Sequence, residues 1–331
     1  MKSQIIKITF QMKTLSKILI LTVLMSPLFS QESFEYLTTE DGLSDNIVYT
    51  VLQDRNGFMW FGTTFGLNKY DGNEFTVYTY NQNDPNSISS NSIWSLFEDR
   101  AGTLWISAWG GGLNKFDPVS NTFIRYQHVP NNYNSVSDNN IWSIYEDRTG
   151  ILWLATERGL DKFDPAKETF VHYKHDPNNP DSLSNNFIRA VIGEQTGTTL
   201  WLGTDGRLNQ FDLKNKTFES YQHDANNPNS LTNNSITHLY EDKAGMLWIS
   251  SDGGGVDKFN PKNKQFINYQ NDKRILNSLS YNVVWFINAD VTDIVTFLYS
   301  CTIKIIYILK NIFYSFDNSI KFMTKSLNMT F

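Results

Sequence analysis

One segment recurs five times along the chain, and no other feature limits the fold so tightly. SDNIVYTVLQDRNGFMWFGTTFGLNKYDG (44–72) returns as SSNSIWSLFEDRAGTLWISAWGGGLNKFDP (89–118) and as SDNNIWSIYEDRTGILWLATERGLDKFDP (137–165). Two further copies are SNNFIRAVIGEQTGTTLWLGTDGRLNQFDL (184–213) and TNNSITHLYEDKAGMLWISSDGGGVDKFNP (232–261). Their anchor residues Trp60, Trp105, Trp153, Trp201 and Trp248 are spaced by 45, 48, 48 and 47 residues. Each copy holds four short β patterns. In the third copy these are Ile141–Tyr145, Ile151–Ala155, Leu160–Phe163 and Phe170–Tyr173. Between them lie turns rich in Asp, Gly and Pro, residues that close hairpins. Four strands in about 47 residues is the period of a propeller blade, not of a helical solenoid. The expected fold is therefore all-β: a β-propeller of four-stranded blades, with five full copies and a broken sixth, forming an incomplete or open ring.

Composition agrees. Aromatic residues make up 15% of the 331 residues and charged residues 19%. Large rings bury much area each, and a disordered chain would be poor in them. The anchor tryptophans, Phe116, Phe163, Phe211, Phe259, and pairs such as Phe123 and Tyr126 are expected to pack within and between blades. Cys301 is the single cysteine, so no intramolecular disulfide forms and no thiolate metal cluster is built. The net charge of −6 averages three regimes. Residues 1–30 carry four lysines and no acid; residues 291–331 carry four lysines and two aspartates. The body between them is strongly acidic. It lacks the clustered cations that phosphate neutralisation requires, which argues against nucleic acid and against an anionic membrane surface.

Both ends differ from the body. Lys13 and Lys17 precede the apolar run Ile18–Met25, then Ser26, Pro27 and Ser30. This order is that of an export leader cut before Gln31, with Met12 as an alternative start. The expected organisation is a leader at 1–30, propeller repeats at 31–286 and an aberrant tail at 287–331. A sixth copy opens at Leu279–Phe286, but no E-D-x-x-G-x-L-W follows. The tail is rich in Ile, Phe, Lys and Asn, as a frame-shifted or degraded continuation would be. Lys304 lies in the middle of its apolar stretch and argues against a membrane span, since a central Lys costs about 2.5–3.5 kcal/mol on insertion.

The units E-D-x-x-G-x-L-W-I and G-G-G-L-x-x-F-D-P, at 98–106 with 110–118 and at 241–249 with 253–261, resemble two-component regulator propeller repeats. The resemblance covers residues 34–286. It implies the periplasmic sensor part of a Bacteroidetes-type hybrid two-component system, a family whose members recognise oligosaccharides. Kinase, receiver and DNA-binding motifs are not found here, so the expectation is a truncated sensor portion without enzymatic activity. A nonfunctional fragment, an interaction scaffold, or a propeller hydrolase or lyase are the alternatives.

Strand order places the loop entering a blade and the turn after its second strand on one face. Residues that vary between copies gather there: Tyr49, Trp94, Trp142, Arg189 and His238 in the first strands, and Thr64-Phe65, Trp109, Arg158, Asp205 and Asp252 in the turns. Invariant positions serve the fold, while varied ones on one face can bind. Candidate ligand-binding residues are Trp109, as a platform for a sugar ring, and Arg158, Arg189, Asp205 and Asp252, as partners for hydroxyls or carboxylates. No catalytic residue, cofactor or metal is expected. His128, His175 and His223 occupy equivalent repeat positions and read as turn residues, and the Asp/Asn loops lack the spaced acids of a calcium loop. Expected partners are an oligosaccharide, no nucleic acid, no membrane except through the leader or tail, and a second copy in a homodimer.

Overall fold

A computed structural model describes residues 34–276, 278–289, 295–298 and 306–309. The leader at 1–30 and the Gln31 cut lie outside them. Five four-stranded antiparallel sheets follow one another in sequence order, each a simple meander. Blade 1 runs Val48–Gln53, Met59–Thr63, Gly66–Tyr70 and Phe75–Tyr78. Blade 2 runs Ile93–Glu98, Leu104–Ala108, Gly112–Asp117 and Thr122–Tyr126. Blade 3 runs Ile141–Glu146, Leu152–Thr156, Gly159–Asp164 and Thr169–Tyr173. Blade 4 runs Ile188–Gly193, Thr199–Thr204, Leu208–Asp212 and Thr217–Tyr221. Blade 5 runs Ile236–Glu241, Leu247–Ser251, Gly255–Asn260 and Gln265–Tyr269.

First strands of consecutive blades pack against one another, so they are the inner strands around a common axis. The second strands read buried at nearly every position, because neighbouring blades cover both faces. This is why they are continuous apolar runs around a tryptophan rather than alternating ones. The tryptophan ring packs edge-on against the third-strand phenylalanine of the next blade. Trp60 meets Phe116 at 5.2 Å, Trp105 meets Phe163 at 5.7 Å, Trp153 meets Phe211 at 5.8 Å and Trp201 meets Phe259 at 5.6 Å. The ring nitrogen donates to the hairpin aspartate of its own blade, Trp105 Nε1 to Asp99 Oδ2 at 2.8 Å and Trp153 Nε1 to Asp147 Oδ2 at 2.9 Å. One side chain thus satisfies its polar atom locally and spends its apolar surface on the neighbour. Trp248 of blade 5 keeps the aspartate bond, at 2.9 Å to Asp242, but is partly exposed.

The Glu-Asp-Arg run is more than a turn. Arg55 Nε donates to Glu98 Oε1 of the next blade at 2.9 Å, and Arg100 Nε to Glu146 Oε2 at 3.1 Å. In blade 4 Gly193 and Gln195 replace the Glu and the Arg. Arg148 then bonds the Gln195 carbonyl, and the Gln195 amide donates to Glu241 Oε2 at 2.8 Å. A chain of polar clamps therefore ties successive blades on the face opposite the variable turns.

Among the described residues the sheets do not close into a ring. The sixth copy docks as the others do, with the Gly255 amide donating to the Asn282 carbonyl at 2.7 Å and Val284 buried. Its first strand Phe286–Ala289 pairs antiparallel with Val295–Leu298, forming a two-stranded hairpin. Phe34–Leu37 pairs antiparallel with Ile306–Leu309 in a separate two-stranded sheet. No helix of the described residues is long and apolar enough to cross a membrane.

Two buried polar positions make stability depend on pH. The third strands carry Asn68, Asn114 and Asn209 at a buried site where blades 3 and 5 carry Asp161 and Asp257. Each acid faces a donor on the fourth strand: His172 Nδ1 lies 2.6 Å from Asp161 Oδ1, and Asn268 Nδ2 lies 2.7 Å from Asp257 Oδ1. Hydrogen bonding to Asp161 raises the His172 pKa. That pair therefore stabilises the fold fully below the ordinary imidazole pKa and loses its contribution as pH rises above it. Burial raises Asp257 to about 6, so the folded state favours the neutral acid. Its contribution is complete below about pH 4 and is lost as pH rises through about 6. Asp257→Asn is expected to stabilise the protein by about 1–3 kcal/mol at pH 7 and to flatten that part of the pH profile. Urea unfolding at pH 4.5 and 7 checks this; an unchanged pH slope sinks the assignment.

Candidate functional site

The variable face is built from a bulge that every blade repeats. The first-strand register slips at Tyr49, Trp94, Trp142, Arg189 and Thr237, and a bulge turns its side chain away from the regular alternation. The fifth member is Thr237, not His238 as expected from the sequence. Thr237 is buried, with Oγ1 beside Ser250 Oγ at 2.8 Å. His238 follows it against Phe286 of the sixth copy, with ring centroids 4.1 Å apart, and burial lowers its pKa to about 4. It is a neutral core imidazole.

The bulge residues of blades 1 to 4 meet around the axis. Tyr49 lies 4.7 Å from Trp94, Trp94 lies 5.0 Å from Trp142, and Trp142 lies 5.4 Å from Phe187. Trp109 closes a triangle with Trp94 at 5.3 Å and Trp142 at 5.4 Å. With 38% of its surface exposed, Trp109 presents part of its ring to solvent while its edges are held by two other indoles. Its backbone amide donates to the Ser92 carbonyl at 2.8 Å, and the Gly110 amide beside it donates to Asn140 Oδ1, just before blade 3, at 2.9 Å. A rigid aromatic ring at the mouth of the array suits stacking against an apolar ligand face.

Arg189 extends this belt. Its guanidinium carbon lies 5.0 Å from the Phe187 ring centre and 5.9 Å from that of Trp142. Nη1 donates to Ser235 Oγ of blade 5 at 2.6 Å and approaches Asp205 Oδ1 at 3.4 Å, while Ser235 Oγ donates to Asp205 Oδ1 at 2.8 Å. Arg189 and Asp205 are thus brought together by Ser235, a residue the sequence did not single out. The other two candidates hold different partners. Arg158 Nε pairs with Asp138 Oδ2 at 2.9 Å on the exposed blade 3 turn. Asp252 is exposed, and its amide donates to the Ser235 carbonyl at 2.9 Å.

The repeated histidines are turn residues. His128, His175 and His223 bond the Val136, Leu183 and Leu231 carbonyls through Nδ1 at 2.9, 2.7 and 2.6 Å. Among the described residues no group of three or more His, Cys, Asp or Glu is placed to hold a metal ion. A groove of about 890 Å³ borders Trp248, Tyr269, Arg274 and Leu279 at the outer edge of blade 5. Its Arg274 is ion-paired with Asp272 at 2.8 Å.

Residues 42–65, 87–110, 135–158 and 230–253 match the model of the two-component regulator propeller. Four of the five repeats carry a stretch that matches this model. Each match spans the bulged first strand, the hairpin and the second strand with its exit turn, which are the parts that build the rim. Blade 4 is outside the matches yet folds as the others do; its Gly193-Glu194-Gln195 departs from the shared Glu-Asp-Arg. Over 56 residues the chain is 46% identical to histidine kinase P4 of Formosa agariphila, a stretch that is 17% of this chain and 4% of that protein. The extracellular domain of a putative hybrid two-component system from B. thetaiotaomicron superposes with a TM-score of 0.64 at 24% identity, covering 80% of this chain and 40% of that one. An inactive virginiamycin B lyase from Staphylococcus aureus shares the fold with a TM-score of 0.57 at 12% identity, covering 80% of this chain and 81% of that one. The chain therefore spans well under half the length of its sensor neighbour, and both likenesses concern the fold alone.

Proposed function

We propose that this chain is an exported ligand-binding propeller, the sensing portion of a hybrid two-component regulator, and that its ligand is an oligosaccharide. The observation that carries the reading is the Trp94–Trp109–Trp142 triangle. Three indoles from two blades hold one exposed ring at the axial mouth, beside the polar group of Arg189, Ser235 and Asp205. Pyranose rings have an apolar face that stacks on such a surface and hydroxyls that such polar groups bind. The repeat family and the extracellular placement of the structural neighbour support the same reading. Asp205 accepts from both Arg189 and Ser235, which makes it a positioning acceptor and not one of a pair of catalytic carboxylates.

Calorimetric titration of the folded chain with a panel of neutral and charged oligosaccharides tests this. Saturable binding without product is expected, and Trp109→Ala should weaken it about tenfold, the equivalent of about 1.4 kcal/mol. Product formation would favour a lyase or hydrolase, and silence from a folded sample would favour a scaffold or an inert fragment.

A further inference from the structure

We propose that the part of the rim formed by blades 3 and 4 binds an oxyanion carried by the ligand, a carboxylate or a sulfate ester on one sugar, with Arg189 as the binding residue. The inference rests on the oligosaccharide reading and narrows it to singly charged acidic saccharides. At the bulge position blades 1 to 3 carry an aromatic ring and blade 5 a small hydroxyl; blade 4 alone carries a cation. Among the described residues, both hydrogen bonds of Arg189 are made by Nη1. Its Nε is buried without a partner, and so is Trp142 Nε1 in the ring beneath it. Unmade bonds of this kind each cost about 1–3 kcal/mol, and here they cluster at one place. The guanidinium is held on one edge by Ser235 and Asp205 and supported over Phe187 and Trp142. Nη2 makes no hydrogen bond among the described residues and is the charged donor left for a carboxylate or sulfate oxygen.

Charge on the surrounding turns is balanced rather than acidic, with Arg158, Arg189 and Arg207 set against Asp138, Glu157 and Asp205. Arg158 and Arg207 lie on the exit turns of blades 3 and 4, whereas the turns of blades 1, 2 and 5 present Thr64-Phe65, Trp109 and Ser251-Asp252. The acids of this sector are already engaged: Asp138 by Arg158, Glu157 by Asn140 and Asp205 by Arg189. The acidic body limits the size of the ligand. Its repulsion reaches about 8–10 Å at physiological salt, so a long polyanion is disfavoured while a short saccharide with one charge is not.

The test uses the whole chain and matched probes differing only in charge: a trisaccharide with one uronic acid against its methyl ester, and a singly sulfated trisaccharide against its desulfated form. One charged member is expected to bind at least tenfold more tightly than its neutral counterpart, with the preference shrinking as NaCl is raised. Which pair responds separates carboxylate from sulfate. Arg189→Gln should bring the charged-to-neutral ratio close to one, and Arg189→Lys should keep part of it. If Arg189→Gln fails to fold, the salt dependence of the unaltered protein decides. Equal affinity within both pairs, or a preference that survives Arg189→Gln, overturns the oxyanion site and leaves the oligosaccharide reading standing. Binding of neither charged nor neutral sugars by folded protein overturns both.

Discussion

Trp153→Ala is expected to lower the unfolding free energy by about 3–5 kcal/mol, the range for deleting a fully enclosed large ring. Trp153 is 1% exposed, packs edge-on against Phe211 of the next blade and satisfies its nitrogen through Asp147. Its loss opens a cavity between two rigid sheets that cannot collapse to fill it, and it leaves Asp147 Oδ2 without its indole donor. Trp248→Ala is expected to cost clearly less, because Trp248 is already partly exposed at the edge of blade 5. Urea midpoints and calorimetric Tm values of the two variants give the comparison. Equal losses would mean that blade 5 is enclosed as tightly as blade 3, contrary to the packing described here.

The second large effect is expected at Gly159, which opens the third strand of blade 3. Its φ is +129°, and a Cβ there would lie 2.5 Å from the Tyr173 carbonyl oxygen. Gly112 and Gly255 meet the Tyr126 and Tyr269 carbonyls in the same way, at 2.4 and 2.3 Å. In blades 2, 3 and 5 the start of the third strand thus runs against the end of the fourth with no space for a side chain, whereas blade 4 carries Arg207 at the aligned position. Gly159→Ala combines backbone strain of about 1–2 kcal/mol with displacement of a packed strand costing about 1–3 kcal/mol. Gly110→Ala separates these contributions. Gly110 also has positive φ, at +69°, but nothing lies within 4 Å of its Cβ position. Its substitution should show the strain alone, and equal unfolding midpoints for the two variants would refute the close approach.

Much of the fold was legible because its determinants are local and repeated. The four β patterns of the third copy fall within about a residue of the observed strands. The Asp-Gly turns close the hairpins, and the tryptophans enter the blade interfaces. The Glu-Asp-Arg run was legible only as a turn, since its arginine acts on a glutamate 43 to 46 residues away. His238 was assigned to the variable series because repeats align by residue type, whereas a bulge is a property of strand pairing. The histidine therefore sits one place beyond the series, packed against Phe286.

By itself, the sequence determined that the chain forms four-stranded units in series, which side of each unit varies, and which residue types vary there. These follow from strand periodicity and turn chemistry, which act within a few residues. Tertiary structure alone decided which of the variable residues meet. Trp94 and Trp142 belong to different blades, and Arg189 reaches Ser235 46 positions away. Their contact depends on the rotation from one blade to the next about the axis and on the bulge that turns each side chain inward. The same geometry joined Arg189 to Asp205 through Ser235, set Trp109 against Trp94 and Trp142, and paired Arg158 with Asp138.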